Sequence, residues 1–240
     1  QNRMATRCLT GIARIGGLSR ILLPGCRSYT PIQGEINVAG VSQQLTGQPL
    51  PSSPQGTTKR DINSKFVKVD DVNIHYEKTG MGNHVVLLLP GALGSAKTDF
   101  AYQMQNLNKD IFTLIAWDPR GYGQSRPPVR DWPEHFLRRD AEDAAQFMEK
   151  LMMQLQEVTK SMPKNVNQDK FSLLGWSDGG ITAMILAAMI PEKIRKLVVW
   201  GANAFVTKEE IETYEKIRDV NQWSGMMRKP FEDTYGTEYF

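Results

Sequence analysis

A serine with glycine two positions before and two after it, Gly175-Trp176-Ser177-Asp178-Gly179, is the segment of this chain with the plainest chemical meaning. An apolar strand pattern, Lys170 to Leu174, precedes it, and an apolar helical pattern, Gly180 to Ile190, follows it. Between a strand and a helix, so tight a turn strains the serine backbone and presents its hydroxyl as a nucleophile, while the glycines let the two elements approach without Cβ clashes. A glycine-rich loop with a solvated serine would show the same residues, so two further segments matter. Leu88-Leu89-Pro90-Gly91-Ala92-Leu93-Gly94 closes an apolar run with a turn whose backbone N–H groups could face an oxyanion. Asp118-Pro119-Arg120-Gly121-Tyr122-Gly123-Gln124-Ser125 closes another. Three glycine-rich turns, each at the C-terminal end of an apolar strand, gather on the sheet edge where open α/β sheets bind ligands.

The elements that must hold these turns are legible as changes of hydrophobic period. Phe66, Val67 and Val69, then Val72, Ile74 and Tyr76, read as two strands meeting at Asp70-Asp71. Val85–Leu89 and Leu197–Trp200 are unbroken apolar runs, and Phe112–Trp117 and Phe171–Leu174 are apolar but for Thr113 and Ser172, as expected of strands buried on both faces. Helical patterns fill the gaps at about 97–107, 134–154, 179–190 and 207–219. Strands alternating with helices predict an α/β fold, a mostly parallel sheet with helices on both faces.

Composition removes several classes of function. The 240 residues are 40% apolar and 23% charged, within the range of a globular protein. The longest uncharged apolar stretch, Ile181–Ile190, is about half the roughly 20 residues of a membrane span, so no membrane span is expected. The net charge of +3 comes from the first 34 residues, which hold five arginines and no acid; residues 35–240 carry −2, which gives no case for nucleic acid. Both cysteines, Cys8 and Cys26, lie in that first stretch, which excludes disulfides, thiolate metal sites and cysteine nucleophiles from residues 27–240.

The arginine spacing, the apolar residues at three- and four-residue steps and the lack of acids predict a mitochondrial transit peptide over residues 1–30, with processing near Arg27-Ser28-Tyr29; a disordered basic tail is the alternative. Residues 31–62, rich in Pro, Gly, Ser, Gln and Thr, read as a disordered linker.

The D-x-R-G-x-G-x-S turn at Asp118–Ser125 and the later G-x-S-x-G elbow, in that order, resemble the α/β-hydrolase family. The strings at 87–95, 116–128, 173–183 and 200–204 resemble its biphenyl hydrolase-like branch, and the resemblance covers about 64–240 apart from an unusually long stretch near 154–168. It implies a serine esterase acting through an acyl-enzyme on Ser177, with the backbone N–H groups of Ala92 and Asp178 as oxyanion donors. It also implies a small-molecule ester substrate, of the α-amino acid ester class, and the Asp178 carboxylate suits the ammonium of such a substrate; capping of the following helix is the other reading of that side chain. No metal and no organic cofactor is expected, and the full-length protein is expected to be a monomer.

In this family the triad acid and histidine follow the serine, yet no histidine follows Ser177. His75 and His84 fall in or beside strands and His135 near a helix start, positions that suit packing or surface roles. The chain is therefore expected to be truncated: 63–204 as the N-terminal part of the hydrolase core, 205–240 as the start of a lid, and the last strands absent. Two alternatives follow, a catalytically inactive or interaction fragment, and a nucleotide-binding protein using Gly91–Thr98, which departs from the phosphate-loop pattern by Ala96 in place of glycine.

Overall fold

In a computed structural model, residues 62–158 and 170–238 are described. The expected transit peptide, nearly all of the expected linker, and most of the long stretch near 154–168 lie outside them.

Segments rich in β-branched, aromatic and leucine residues build a sheet of six described strands: β1 (Asn63–Val69), β2 (Val72–Thr79), β3 (His84–Leu89), β4 (Phe112–Trp117), β5 (Phe171–Trp176) and β6 (Ile194–Trp200). Their spatial order is β1-β2-β4-β3-β5-β6. The predicted hairpin is present, β1 antiparallel to β2 and β2 antiparallel to β4, while β4, β3, β5 and β6 run parallel. Parallel neighbours need crossovers, supplied by α1 (Ala96–Asn106), α2 (Phe136–Val158) and α3 (Asp178–Met189).

The inner strands face both ways, and the core is accordingly double. Leu87, Leu89, Ile115, Trp117 and Leu173 pack with Phe147, Leu151 and Leu186 of α2 and α3. On the other face Val86, Leu88, Leu114 and Ala116 pack with Ala96, Phe100 and Met104 of α1. From β3 the chain passes to β4 on one side and later to β5 on the other, so the order reverses at β3. The crevice beyond the C-terminal ends of β3 and β5 is thus the switch point at which open α/β sheets take ligands.

Beyond β6 lie α4 (Lys208–Lys216), started by a Thr207/Glu210 capping box, and α5 (Gly225–Tyr235). The sequence reading carried α4 three residues too far, up to the start of a 3-10 turn at Val220–Gln222, and foresaw no helix at α5, where Pro230 lies inside the helix. β6 starts at Ile194, three residues ahead of the apolar run, because a 3-10 turn at Pro191–Lys193 leads directly into it.

Candidate active site

Ser177 occupies the turn between β5 and α3 with φ +53° and ψ −125°, a left-handed conformation for a residue with a Cβ. That strain is held by its neighbours: Ser177 N–H donates to Trp200 O of β6 (3.0 Å), and Ser177 O accepts from the N–H groups of Gly180 (2.8 Å) and Ile181 (3.1 Å). The glycines earn their positions by contact. A Cβ on Gly179 would lie 2.1 Å from Leu89 O, and one on Gly175 would lie 2.6 Å from Gly179 O. The elbow expected from Gly175–Gly179 is thus present.

The loop after β3 lies against it. A Cβ on Gly91 would come 3.1 Å from Ser177 Cβ and 2.7 Å from the Trp176 indole nitrogen. Asp99, on α1, accepts the Gly91 N–H (2.8 Å), and Gly94 N–H donates to Gly91 O (3.0 Å), so the turn that carries Ala92 is pinned at both ends. Burial raises the Asp99 pKa, while its bonds to Gly91 and Thr98 oppose that shift. Asp178 N–H belongs to the first turn of α3, where backbone donors have no intrahelical acceptor.

The third turn closes the group. Pro119 and Tyr122 join Leu89, Pro90, Gly91, Trp117, Asp178 and Thr182 around a cavity of about 10 Å³, room for one water or one ammonium group. Arg130 and Asp140 complete its lining as a buried two-pronged ion pair, 2.8 and 2.6 Å, with the guanidinium 4.6 Å from the Tyr122 ring centre. Burial pushes the Asp178 carboxyl up to about 7, against the pull of Arg130 and with a push from Asp140. Sequence patterns gave no hint of Arg130, Asp140 or Tyr122 as neighbours of Asp178. The first two sit 10 residues apart with no motif between them, and only the fold turns both inward.

The three histidines are engaged elsewhere. His75 bonds Asp118 (2.8 Å), and β4 and β3 stand between its strand and β5, about 14 Å at ordinary strand spacing. His84 starts β3, at the opposite end of the sheet from Ser177, and bonds Ser172 Oγ (2.7 Å). His135 is exposed beside Glu134. Among the described residues no His, Cys, Asp and Glu cluster could hold a metal, and no helix is long and apolar enough to cross a membrane. The residues of the phosphate-loop alternative are committed to structure: Ser95 and Thr98 form the capping box of α1, and Asp118 accepts the Ala96 N–H (2.8 Å).

The chain is 52% identical over 190 residues to Serine hydrolase BPHL of Homo sapiens, covering 79% of this chain and 59% of that protein. With Serine hydrolase BPHL of Mus musculus it shares 53% over 188 residues, 78% of this chain and 60% of the other. It thus spans about three-fifths of the length of these curated relatives. Among solved structures, the epoxide hydrolase VrEH1 from Vigna radiata aligns over 72% of this chain and 47% of its own with a TM-score of 0.47 and 22% identity. Residues 84–238 match the α/β hydrolase fold family, and with the elbow, the switch-point crevice and the mostly parallel sheet in place, the chain belongs to that family.

Proposed function

We propose that this chain carries the nucleophilic half of a serine hydrolase that cleaves carboxylic esters, with α-amino acid esters as its substrate class. The observation that carries the reading is Ser177 at φ +53° on a glycine-flanked elbow, at the switch point of the sheet. The Ser177 hydroxyl attacks the ester carbonyl and its proton passes to a general base. The resulting oxyanion lies between the N–H groups of Ala92 and Asp178, and collapse of the intermediate releases the alcohol and leaves an acyl-serine for water to cleave. The cavity beside Asp178 suits the substrate ammonium in size, and Arg130, Asp140 and an ionised Asp178 together carry a charge of −1 there. The similarity to Serine hydrolase BPHL supports the serine chemistry. The reading requires a base at Ser177, which His75, His84 and His135 do not supply from their observed positions.

The test is a fusion of this chain to the part of the human relative that it does not match. The fusion is expected to hydrolyse aminoacyl esters, to lose at least about 10³-fold in kcat/KM on Ser177→Ala, and to lose its preference for free over N-acetylated esters on Asp178→Ala. A fusion that folds and turns over nothing overturns the reading. The histidine positions favour a second reading, a chain that is inactive or serves only as an interaction fragment; aminoacyl ester turnover by the fusion, absent from the unfused 240 residues, supports the first reading over it. For the arginine-rich N-terminus we propose mitochondrial import, checked by N-terminal sequencing of protein recovered from mitochondria; a start near Ser28–Pro31 is expected.

A further inference from the structure

Ser64, His75 and Asp118 form a continuous hydrogen-bonded chain that the elbow chemistry does not use. Along the β1–β2 hairpin, Val67, Val69, Val72, Ile74 and Tyr76 enter the core. The register pairs Phe66 with His75 and Ser64 with Glu77, so these four side chains share the other face and Ser64 stands diagonal to His75. Ser64 Oγ lies 2.7 Å from His75 Nε2, and His75 Nδ1 lies 2.8 Å from Asp118 Oδ2.

The polarity of this chain is set by the backbone. Asp118 Oδ1 accepts the Ala96 N–H and Oδ2 accepts the Gln124 N–H, both at 2.8 Å. With two donors already fixed on the carboxylate, the proton in its third bond belongs to His75 Nδ1. That leaves Nε2 with its lone pair toward the Ser64 hydroxyl, the tautomer a general base needs. His75 and Asp118 are 1% and 2% exposed, while Ser64 is open to solvent.

Anchoring the hairpin does not require the serine. His75 N–H already donates to Ser125 Oγ (2.8 Å), and Asp118 N–H to His75 O (2.9 Å), so backbone bonds tie the hairpin to the turn. Beside the array opens a cleft of about 540 Å³ lined by Phe66, Gly123, Gln124, Arg126, Pro127 and Val129. Its walls are apolar where Phe66 and Val129 are exposed, and the Phe66 ring lies 5.2 Å from the His75 ring. The side-chain amide of Gln124 reaches within 3.2 Å of His75 Nε2, close enough to face a carbonyl oxygen at Ser64.

We propose that Ser64 is a second nucleophile of this chain, activated by His75 and Asp118, and that it takes acyl groups from small apolar esters held in this cleft. Ser64 Oγ bonds to the ester carbonyl carbon as its proton moves to His75 Nε2, and the Gln124 amide donates to the oxyanion. Collapse breaks the ester C–O bond, and the departing alkoxide takes the proton from Nε2 and leaves as the alcohol. Water, deprotonated by the same nitrogen, then releases the carboxylic acid and restores Ser64.

The experiment treats the full 240-residue chain with 4-nitrophenyl acetate and locates acetyl groups by peptide mass spectrometry, using exposed Ser224 of the same molecule as the reference. Ser64 is expected to acetylate about 100-fold or more faster than Ser224, to keep that rate in Ser177→Ala, and to lose most of it in His75→Gln. Gln124→Ala, a change at an exposed side chain, should slow it about 10-fold without affecting the fold. Equal rates at Ser64 and Ser224 in the parent chain overturn the proposal without any variant, as does a Ser64 rate unchanged by His75→Gln in a folded protein. Retention in Ser177→Ala separates this site from the elbow.

Discussion

Asp178 shows how one residue can be placed by its neighbours into two roles. As the first residue of α3 it has the acidic character a helix N-terminus favours, yet its carboxyl is buried against the Arg130–Asp140 pair and burial pushes it from the ordinary 3.8 up to about 7. The folded state therefore holds its proton more tightly than the unfolded chain does. Stability is greatest below pH 3.8, as far as this group is concerned, and is lost as pH rises toward 7. Asp178→Asn removes the charge that must otherwise be buried. Its melting temperature relative to the parent is expected to rise between pH 5 and pH 8, by an amount on the order of 2–4 kcal/mol in unfolding free energy. A thermal-melt series over that range checks it, and a constant difference between the two proteins would show that the group titrates elsewhere. A bound aminoacyl ester would oppose the same shift, because its ammonium favours the ionised carboxylate.

At the scale of elements, the glycine-rich turns depend on a helix that the sequence does not announce. Tyr235, at the end of α5, donates its hydroxyl to Leu93 O (2.7 Å) and accepts the Gly123 N–H (3.2 Å), joining α5 to the loop beside the elbow and to the Asp118–Ser125 turn. The Arg126 guanidinium lies 4.8 Å from the same ring. Tyr235→Phe keeps the ring and loses both bonds, so it should cost about 1 kcal/mol and speed amide exchange at Gly123 several-fold, measured by hydrogen exchange. Unchanged exchange would mean that the contacts kept by the variant, the Arg126 bond to Thr234 O (3.3 Å) and ring packing, hold α5 to the turns. The inner strands were legible because each is a largely apolar run, with β3 ended by Pro90-Gly91 and β4 by Asp118-Pro119, a pattern that burial on both faces imposes. α5 was not, because Met226, Lys229 and Pro230 within one helix blur the 3.6-residue period. Ser177 and the loop around Ala92 were legible for a local reason, since glycine spacing records close approach. The Arg130–Asp140 pair and the Ser64–His75–Asp118 chain were not, because each joins residues from separate elements that only the lateral order of strands brings together.

Over the whole molecule, burial is uneven across the sheet. The β4, β3 and β5 strands are enclosed on both faces, whereas β6, the last described strand, pairs only with β5 among the described residues and leaves Leu197 and Val198 39% and 52% exposed. Phe205 (65%), Ile211 (50%) and Met226 (89%) on the segments that follow add further exposed apolar surface. An unpaired parallel edge with apolar side chains offers a template for another chain, so the 240 residues expressed alone are expected to associate through this end of the sheet. Arg195 and Lys196 already place two positive charges on the strand, but both precede its apolar half. Val198→Lys extends that protection along the edge at a site with little packing to lose. The variant should raise the soluble fraction and shift light scattering toward monomer, with a melting temperature within about 2 °C of the parent. The same substitution at Val67, 5% exposed in the hairpin core, should instead unfold the protein, since a lysine there would be buried without a partner. If Val198→Lys leaves association unchanged while the Val67 variant unfolds as expected, the associating surface lies elsewhere, and the exposed residues of α4 and α5 become the next to be replaced.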